Sequence, residues 1–178
     1  MVAEAHERVL IEAAQAGDLD AFEVLVRRHQ GRVYRLALRM LASASDAEDV
    51  AQETFVQAWR SIGRFRGSSS LGTWLYRIAT NRCLDILAAH RPTETLDAEL
   101  GGRDADPVTT LAQRERLRSV VAGLHALSGE QRAALVLREF EGLRYDRIAE
   151  VLGITVPAVK GRIHRARVAL LATLGEHR

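Results

Sequence analysis

Between Val156 and Gly175 the chain carries Lys160, Arg162, Arg165 and Arg167 and no acidic residue. A cation cluster of this kind is suited to a polyanion. Arginine can fork onto guanine O6 and N7, while lysine and other arginines neutralise phosphate. The surrounding stretch 143–170 supplies the elements that would hold these cations. Ile148, Ala149 and Leu152 fall on one side of a short helix expected over Tyr145–Leu152, which Gly153 stops. Thr155 is placed to cap a second helix, with Pro157 tolerated in its first turn. Val159, Ile163, Ala166 and Leu170 form the apolar stripe of that second helix. Two helices meeting at a tight glycine turn read as a helix-turn-helix, whose second helix enters the DNA major groove. Its solvent face would be Lys160, Gly161, Arg162, His164, Arg165 and Arg167. A solvated basic face on an ordinary terminal helix is the blander account, but turn, caps, stripe and charge all agree on the former.

A second group lies near the middle of the chain. Trp74, Arg77 and Asn81 stand at i, i+3 and i+7 and therefore share a helix face. An aromatic plane, a guanidinium and an amide together can stack on and hydrogen-bond an unpaired base. The preceding loop Phe65-Arg66-Gly67-Ser68-Ser69-Ser70 adds a cation, hydroxyls and backbone N–H groups. The same residues would serve equally as a core tryptophan, a packing amide and a serine cap, and spacing does not separate the two accounts. A third group, Asp49, Gln52, Glu53 and Val56, puts acids and an amide around an apolar residue on one helix face. That is either a solvated face or a docking surface for a basic partner helix.

No catalytic constellation stands beside these groups, and the chain is not expected to be an enzyme. His6, His29, His90, His125, His164 and His177 lack metal-ligand spacing, so neither metal nor cofactor is expected. No glycine-rich phosphate loop and no nucleophile elbow occurs. Cys83 is the single cysteine, which excludes a disulfide framework, and it is expected to be packed rather than reactive. Early acids Glu4, Glu7 and Glu12 argue against a signal peptide, and no apolar run suffices to span a bilayer. The expectation is a cytoplasmic protein.

The 178 residues suffice for one medium or two small domains. Few prolines, 5% aromatics and much Ala, Leu, Glu and Arg favour an all-α fold. Residues 90–110 hold two prolines, a Gly-Gly pair and several acids without a helical period. They read as a flexible linker, so two helical domains are expected over 1–90 and 112–178, joined by 91–111. The net charge of +2 is distributed unevenly along these parts, zero over 1–90, −2 over 91–117 and +4 over 118–178. In the first domain, three helices are expected. One starts at a capping box Asp20–Glu23 and buries Phe22, Leu25, Val26, Val33, Leu36 and Met40; one starts at a capping box Ser45–Glu48; one runs over Leu71–Ala89. In the second, a helix over about Leu111–Leu127 precedes one capped by Ser128 that ends before Gly142.

Taken together, the chain resembles the bacterial extracytoplasmic-function (ECF) sigma factors, small two-domain subunits of RNA polymerase. The residues that carry the resemblance to sigma region 2 are Asp46-Ala-Glu-Asp-Val-Ala-Gln-Glu-Thr-Phe55, Phe65-Arg-Gly and Thr73-Trp-Leu-Tyr-Arg-Ile-Ala-Thr-Asn81. Those for region 4 are Leu127-Ser128, Leu137-Arg138-Glu139, Ile148-Ala-Glu-Val-Leu-Gly153, Val159-Lys160 and Arg165-Ala-Arg167. The resemblance implies that Asp49, Gln52, Glu53 and Phe55 bind the clamp helices of core RNA polymerase. It implies that Phe65, Arg66, Ser68, Ser69, Trp74, Arg77 and Asn81 bind single-stranded DNA of the −10 element. It implies that Lys160, Gly161, Arg162, His164, Arg165 and Arg167 read the −35 element as duplex. It also implies an anti-sigma partner and a role in stress response. Two positions depart from the family pattern: Arg144 stands where a Ser or Thr helix cap is common, and Gly161 where Ser is common. A stand-alone helix-turn-helix regulator with a helical sensory domain is the alternative; it would bind duplex DNA by itself, as a dimer on a palindrome.

Overall fold

The computed structural model describes residues 2–89 and 122–175. All of their regular structure is helical, in the order α1 Val2–Gln15, α2 Leu19–Leu41, α3 Ala44–Ser61, a 3₁₀ turn Ile62–Arg64, α4 Leu71–Ala89, then helical residues 122–126, α5 Gly129–Glu139, α6 Tyr145–Leu152 and α7 Val156–Gly175. The expected linker 91–111 and most of the helix expected over Leu111–Leu127 lie outside the described residues.

α2 is the axis of the first half and packs against α1, α3 and α4. Of its expected stripe, Leu25, Val33, Leu36 and Met40 are all within 1% of full burial, while Phe22 and Val26 are half-buried. Both capping boxes lie two residues away from the real caps. Asp18, not Asp20, caps α2 by accepting from Ala21 N–H at 3.0 Å. Ser43, not Ser45, caps α3 by accepting from Asp46 N–H at 3.2 Å. In each case two candidate caps alternate in sequence, and the extended backbone of the earlier one decides.

α1 is a fourth helix of this bundle and was not among the three expected. It buries Ala14 and packs Leu10 and Ile11 against the core. Two polar ties anchor it, Glu7 to the buried His29 ring at 2.7 Å and Gln15 to the 3₁₀ turn.

In the second half α5, α6 and α7 pack around Leu137, Ile148, Val151, Val159 and Ile163. Ser128 caps α5 as expected, accepting from Gln131 N–H. Gly153 ends α6 in the left-handed region (φ 63°), where glycine has no steric penalty. Thr155 caps α7 through Ala158 N–H at 3.4 Å. Arg144 gives α6 no side-chain cap, as its identity foretold.

The two halves touch. α5 packs on α2 and α4, and α6 packs on α4. Arg132 of α5 is 5% exposed, and its guanidinium donates to the carbonyls of Leu124, His125 and Leu127 and, across the junction, to Met40 O in the last turn of α2. A cation at the carbonyl ends of two helices satisfies orphan acceptors and complements both dipoles. Glu141, on the turn after α5, accepts from Tyr76 Oη of α4 at 2.5 Å and from Arg39 of α2 at 3.1 Å.

Candidate nucleic-acid and polymerase interfaces

The loop between the 3₁₀ turn and α4 is held at both ends. Gln15 Nε2 donates to Ile62 O at 3.0 Å and to Phe65 O at 2.8 Å, fixing where the loop begins. Ser70 Oγ accepts from Thr73 N–H at 3.1 Å, fixing where α4 starts. Gly67 between them takes φ 68°. Gln15 was not foreseen as a contributor; it lies some fifty positions upstream and no local pattern marks it.

This framing builds a cavity of about 210 Å³ walled by the loop, one side of α4, and Glu150 and Val151 of α6. Phe65, Arg66, Ser68, Ser69, Trp74 and Arg77 all line it, six of the seven residues expected to bind a single strand. The Phe65 and Trp74 rings lean on each other, centroids 5.2 Å apart and tilted by 47°. Trp74 is half-buried; it packs against the core and also lines the cavity. Asn81 is exposed and lies one turn further along, in an adjoining cavity of about 370 Å³ that shares Arg64, Trp74 and Arg77 with the first. Arg64 was missed by the sequence reading, yet it borders both.

On α3, Asp49, Gln52 and Glu53 are exposed beside Val56, which is 50% exposed. Phe55 points elsewhere: it is half-buried and packs against the core. Glu53 is bound to Arg82 of α4, which raises the arginine's pKa through the hydrogen bond and the charge of the carboxylate.

On α7, Val159, Ile163 and Ala166 are buried against α5 and α6. Lys160, His164 and Arg165 are exposed. Two of the expected solvent cations turn back onto their own domain. Arg162 pairs with Glu130 at 2.8 Å with 19% of its side chain exposed, and Arg167 pairs with Glu139 at 2.5 Å. Their positive charge is therefore partly neutralised from within. Gly161 is half-buried beneath the Arg165 guanidinium. Among the described residues no cluster of His, Cys, Asp or Glu could hold a metal, and no helix is long and apolar enough to cross a membrane.

The comparisons with known proteins agree with this arrangement in both halves. The Sigma-70 region 2 family matches residues 25–93, and the Sigma-70 region 4 family matches residues 117–170. The chain is 40% identical to the ECF RNA polymerase sigma-E factor of Haemophilus influenzae over 173 residues, 90% of this chain and 91% of the relative. It belongs to the ECF sigma factors. The sigma-E factor of Escherichia coli strain K12 is 39% identical over 92% of both chains. The RNA polymerase sigma-H factor of Pseudomonas aeruginosa is 37% identical over 96% of this chain and 94% of its own. Among solved structures, CnrH in complex with the cytosolic domain of CnrY superposes with a TM-score of 0.75 at 31% identity, covering 97% of this sigma factor and 99% of CnrH. As a sigma factor, the protein binds core RNA polymerase and directs it to promoters to initiate transcription.

Proposed function

We propose a division of labour in which residues 1–90 capture separated −10 DNA while attached to the polymerase and residues 112–178 recognise intact −35 duplex. The observation that carries this reading is the pair of cavities flanking Trp74 and Arg77, which offer two aromatic rings, hydroxyls, two amides and four arginines in one place. Phe65, Arg66, Ser68, Ser69, Trp74, Arg77 and Asn81 hold the unpaired strand. Lys160, Gly161, His164 and Arg165 meet the major groove. Arg162 and Arg167 take part by exchanging their intradomain carboxylates for phosphate.

Asp49, Gln52 and Glu53, with Val56 at their centre, dock on the polymerase clamp helices, and Phe55 supports this face from beneath. The sigma factor performs no catalysis of its own and acts in the cytoplasm beside its polymerase. Unstacking a base costs a few kcal/mol, and stacking on an aromatic ring returns about 1–3 kcal/mol. One captured base therefore does not melt a promoter; several contacts and the core enzyme act together. An anti-sigma partner is part of the reading, supported by the similarity to CnrH, whose solved complex contains CnrY.

The test is transcription by purified core polymerase from a random-sequence promoter library, with and without the chain, followed by sequencing of the RNA 5′ ends. Enrichment of a two-block motif upstream of the starts, dependent on the chain, is expected. Starts unaffected by the chain, coupled with duplex binding by the chain alone as a dimer, would instead support a stand-alone helix-turn-helix regulator.

A further inference from the structure

α1 contributes no residue to either cavity, yet it reaches both ends of the loop that walls the first one. At the start of the loop, Gln15 uses its side-chain amide on two backbone carbonyls, Ile62 O at 3.0 Å and Phe65 O at 2.8 Å. An amide nitrogen carries two hydrogens, so one side chain can serve both. At the end of the loop, Glu7 meets the buried His29 ring at 2.7 Å. That ring lies beside the first turn of α4, where a Cβ built on Gly72 would stand 3.7 Å from His29 Cε1. Gln15 is itself held in place. It is the last residue of α1, Gly17 turns the chain after it at φ 97°, and Asp18 N–H donates back to Ala13 O at 3.1 Å before Asp18 caps α2.

The two anchors control different things. The start of α4 has its own cap in Ser70, so the Glu7–His29 pair adds support to a point already fixed. The loop's entry is different. Ile62 O accepts from Phe65 N–H within the 3₁₀ turn, at 3.0 Å, and Gln15 then extends this hold by one peptide to Phe65 O. Phe65 is the residue through which a shift would matter. Its carbonyl is held from α1 while its ring leans on Trp74, so moving its backbone moves one aromatic wall of the cavity against the other. Arg64 and Arg66 flank it in sequence and line the same cavity, so their side chains turn with that peptide.

We propose that Gln15 is a positioning residue for strand capture: by fixing the Phe65 peptide it sets the shape of the cavity, and with it which base the cavity accepts, without touching DNA. This inference rests on the assignment of the cavity to the −10 strand. Two substitutions separate the role from packing. Gln15→Ala removes both donors and the side chain. Gln15→Glu keeps the shape, but a carboxylate only accepts, so it sets oxygen against the two carbonyls. A side chain that served packing alone would be replaced well by glutamate and poorly by alanine; a donor is replaced by neither.

The experiment uses the full chain assembled with purified core polymerase. Its probe is a fluorescein-labelled single-stranded oligonucleotide carrying the −10 block recovered from the promoter library. Gln15→Ala should weaken strand binding about three- to tenfold, and Gln15→Glu at least as much. When the library selection is repeated, base preference at one −10 position should relax in both variants while the −35 block keeps its motif. In a Trp59→Phe background Trp74 is the remaining tryptophan, and its emission should shift in both variants. Gel-shift binding of the −35 duplex should match the parent chain. Strand binding and base preference unchanged in both variants, a glutamate variant that behaves as the parent, or unchanged Trp74 emission would overturn the role of Gln15. Loss of −35 duplex binding would show a general defect of the fold and overturn a role confined to the loop. Arg77→Ala, which alters an exposed side chain lining both cavities, checks the underlying assignment in the same assay. Strand binding undiminished in that variant would overturn strand capture by the cavity, and the positioning role with it.

Discussion

Tyr76 Oη of α4 and the Glu141 carboxylate on the turn after α5 lie 2.5 Å apart, joining residues 65 positions apart in the chain across the junction of the two halves. Burial and the neighbouring carboxylate both keep the phenol protonated and donating, raising its pKa well above the ordinary value. Replacing Glu141 with Ala leaves Tyr76 and Arg39 without their shared acceptor. The expected loss is about 1–3 kcal/mol in urea unfolding, with Glu141→Gln retaining part of it as a neutral acceptor. A midpoint unchanged in both variants would show that the junction does not contribute to stability.

Arg132 has a larger stake in the fold. Its guanidinium serves four backbone carbonyls, at Leu124, His125, Leu127 and Met40, inside a low-dielectric junction that lowers its pKa to about 10 by desolvation. Arg132→Ala should cost about 3 kcal/mol by stranding buried acceptors. Arg132→Lys should recover only part, because an ammonium lacks the planar fork. Chemical denaturation of both variants checks the order.

His125 makes the fold sensitive to acid. Burial first and the Arg132 charge second lower its pKa to about 4. The folded protein holds the ring neutral, while the unfolded chain takes up a proton below about 6.5. Stability conferred by this group is therefore complete above that value and is lost as pH falls towards 4, by at most about 1.4 kcal/mol per pH unit. Thermal unfolding between pH 7 and pH 4.5 should show this slope, and His125→Gln should flatten it.

Cys83 is fully buried and burial pushes its thiol up to about 12. The native thiol should react with iodoacetamide at pH 8 at least about a thousandfold more slowly than a free cysteine, and should react promptly once the chain is unfolded in guanidinium. Mass spectrometry of timed samples measures both rates. Rapid native labelling would contradict the packed position that the sequence already suggested.

What could be read in advance follows from how local each feature is. The helix-turn-helix was legible because Gly153, Thr155 and two apolar stripes all lie within about thirty residues, and each reports on its own neighbourhood. Most of the α2 stripe was legible for the same reason. Cap positions slipped by two because Asp18 and Asp20, and Ser43 and Ser45, are chemically equivalent and only backbone conformation chooses between them. α1 escaped because its apolar side is short, Leu10, Ile11 and Ala14, and its anchors Glu7 and Gln15 are polar residues with partners far along the chain. The strand-capture residues were named from type and spacing. Their enclosure by Glu150 was not, since nothing near Glu150 reports that α6 will lie on α4. The pairing of Arg162 and Arg167 with Glu130 and Glu139 escaped likewise, because those carboxylates come from α5.

The α3 face offers a charge-reversal test of polymerase docking. Glu53→Lys should weaken retention on immobilised core polymerase by about tenfold, since it adds a repulsive cation at the docking surface. The same change also sets a lysine against Arg82, so Gln52→Lys, which adds a cation to that face away from this pair, provides a second test. Retention unchanged in both variants would remove the face from the polymerase interface.

The central claim is that separated strands and intact duplex are handled by different halves of the molecule. Permanganate footprinting of the holoenzyme on a library-selected promoter, run beside a duplex gel-shift, measures the two abilities separately. Asn81→Ala should abolish most thymine reactivity in the −10 region while leaving −35 duplex binding intact, and Arg165→Ala should weaken duplex binding first. Equal loss of strand opening and duplex binding in the Asn81 variant would contradict the account.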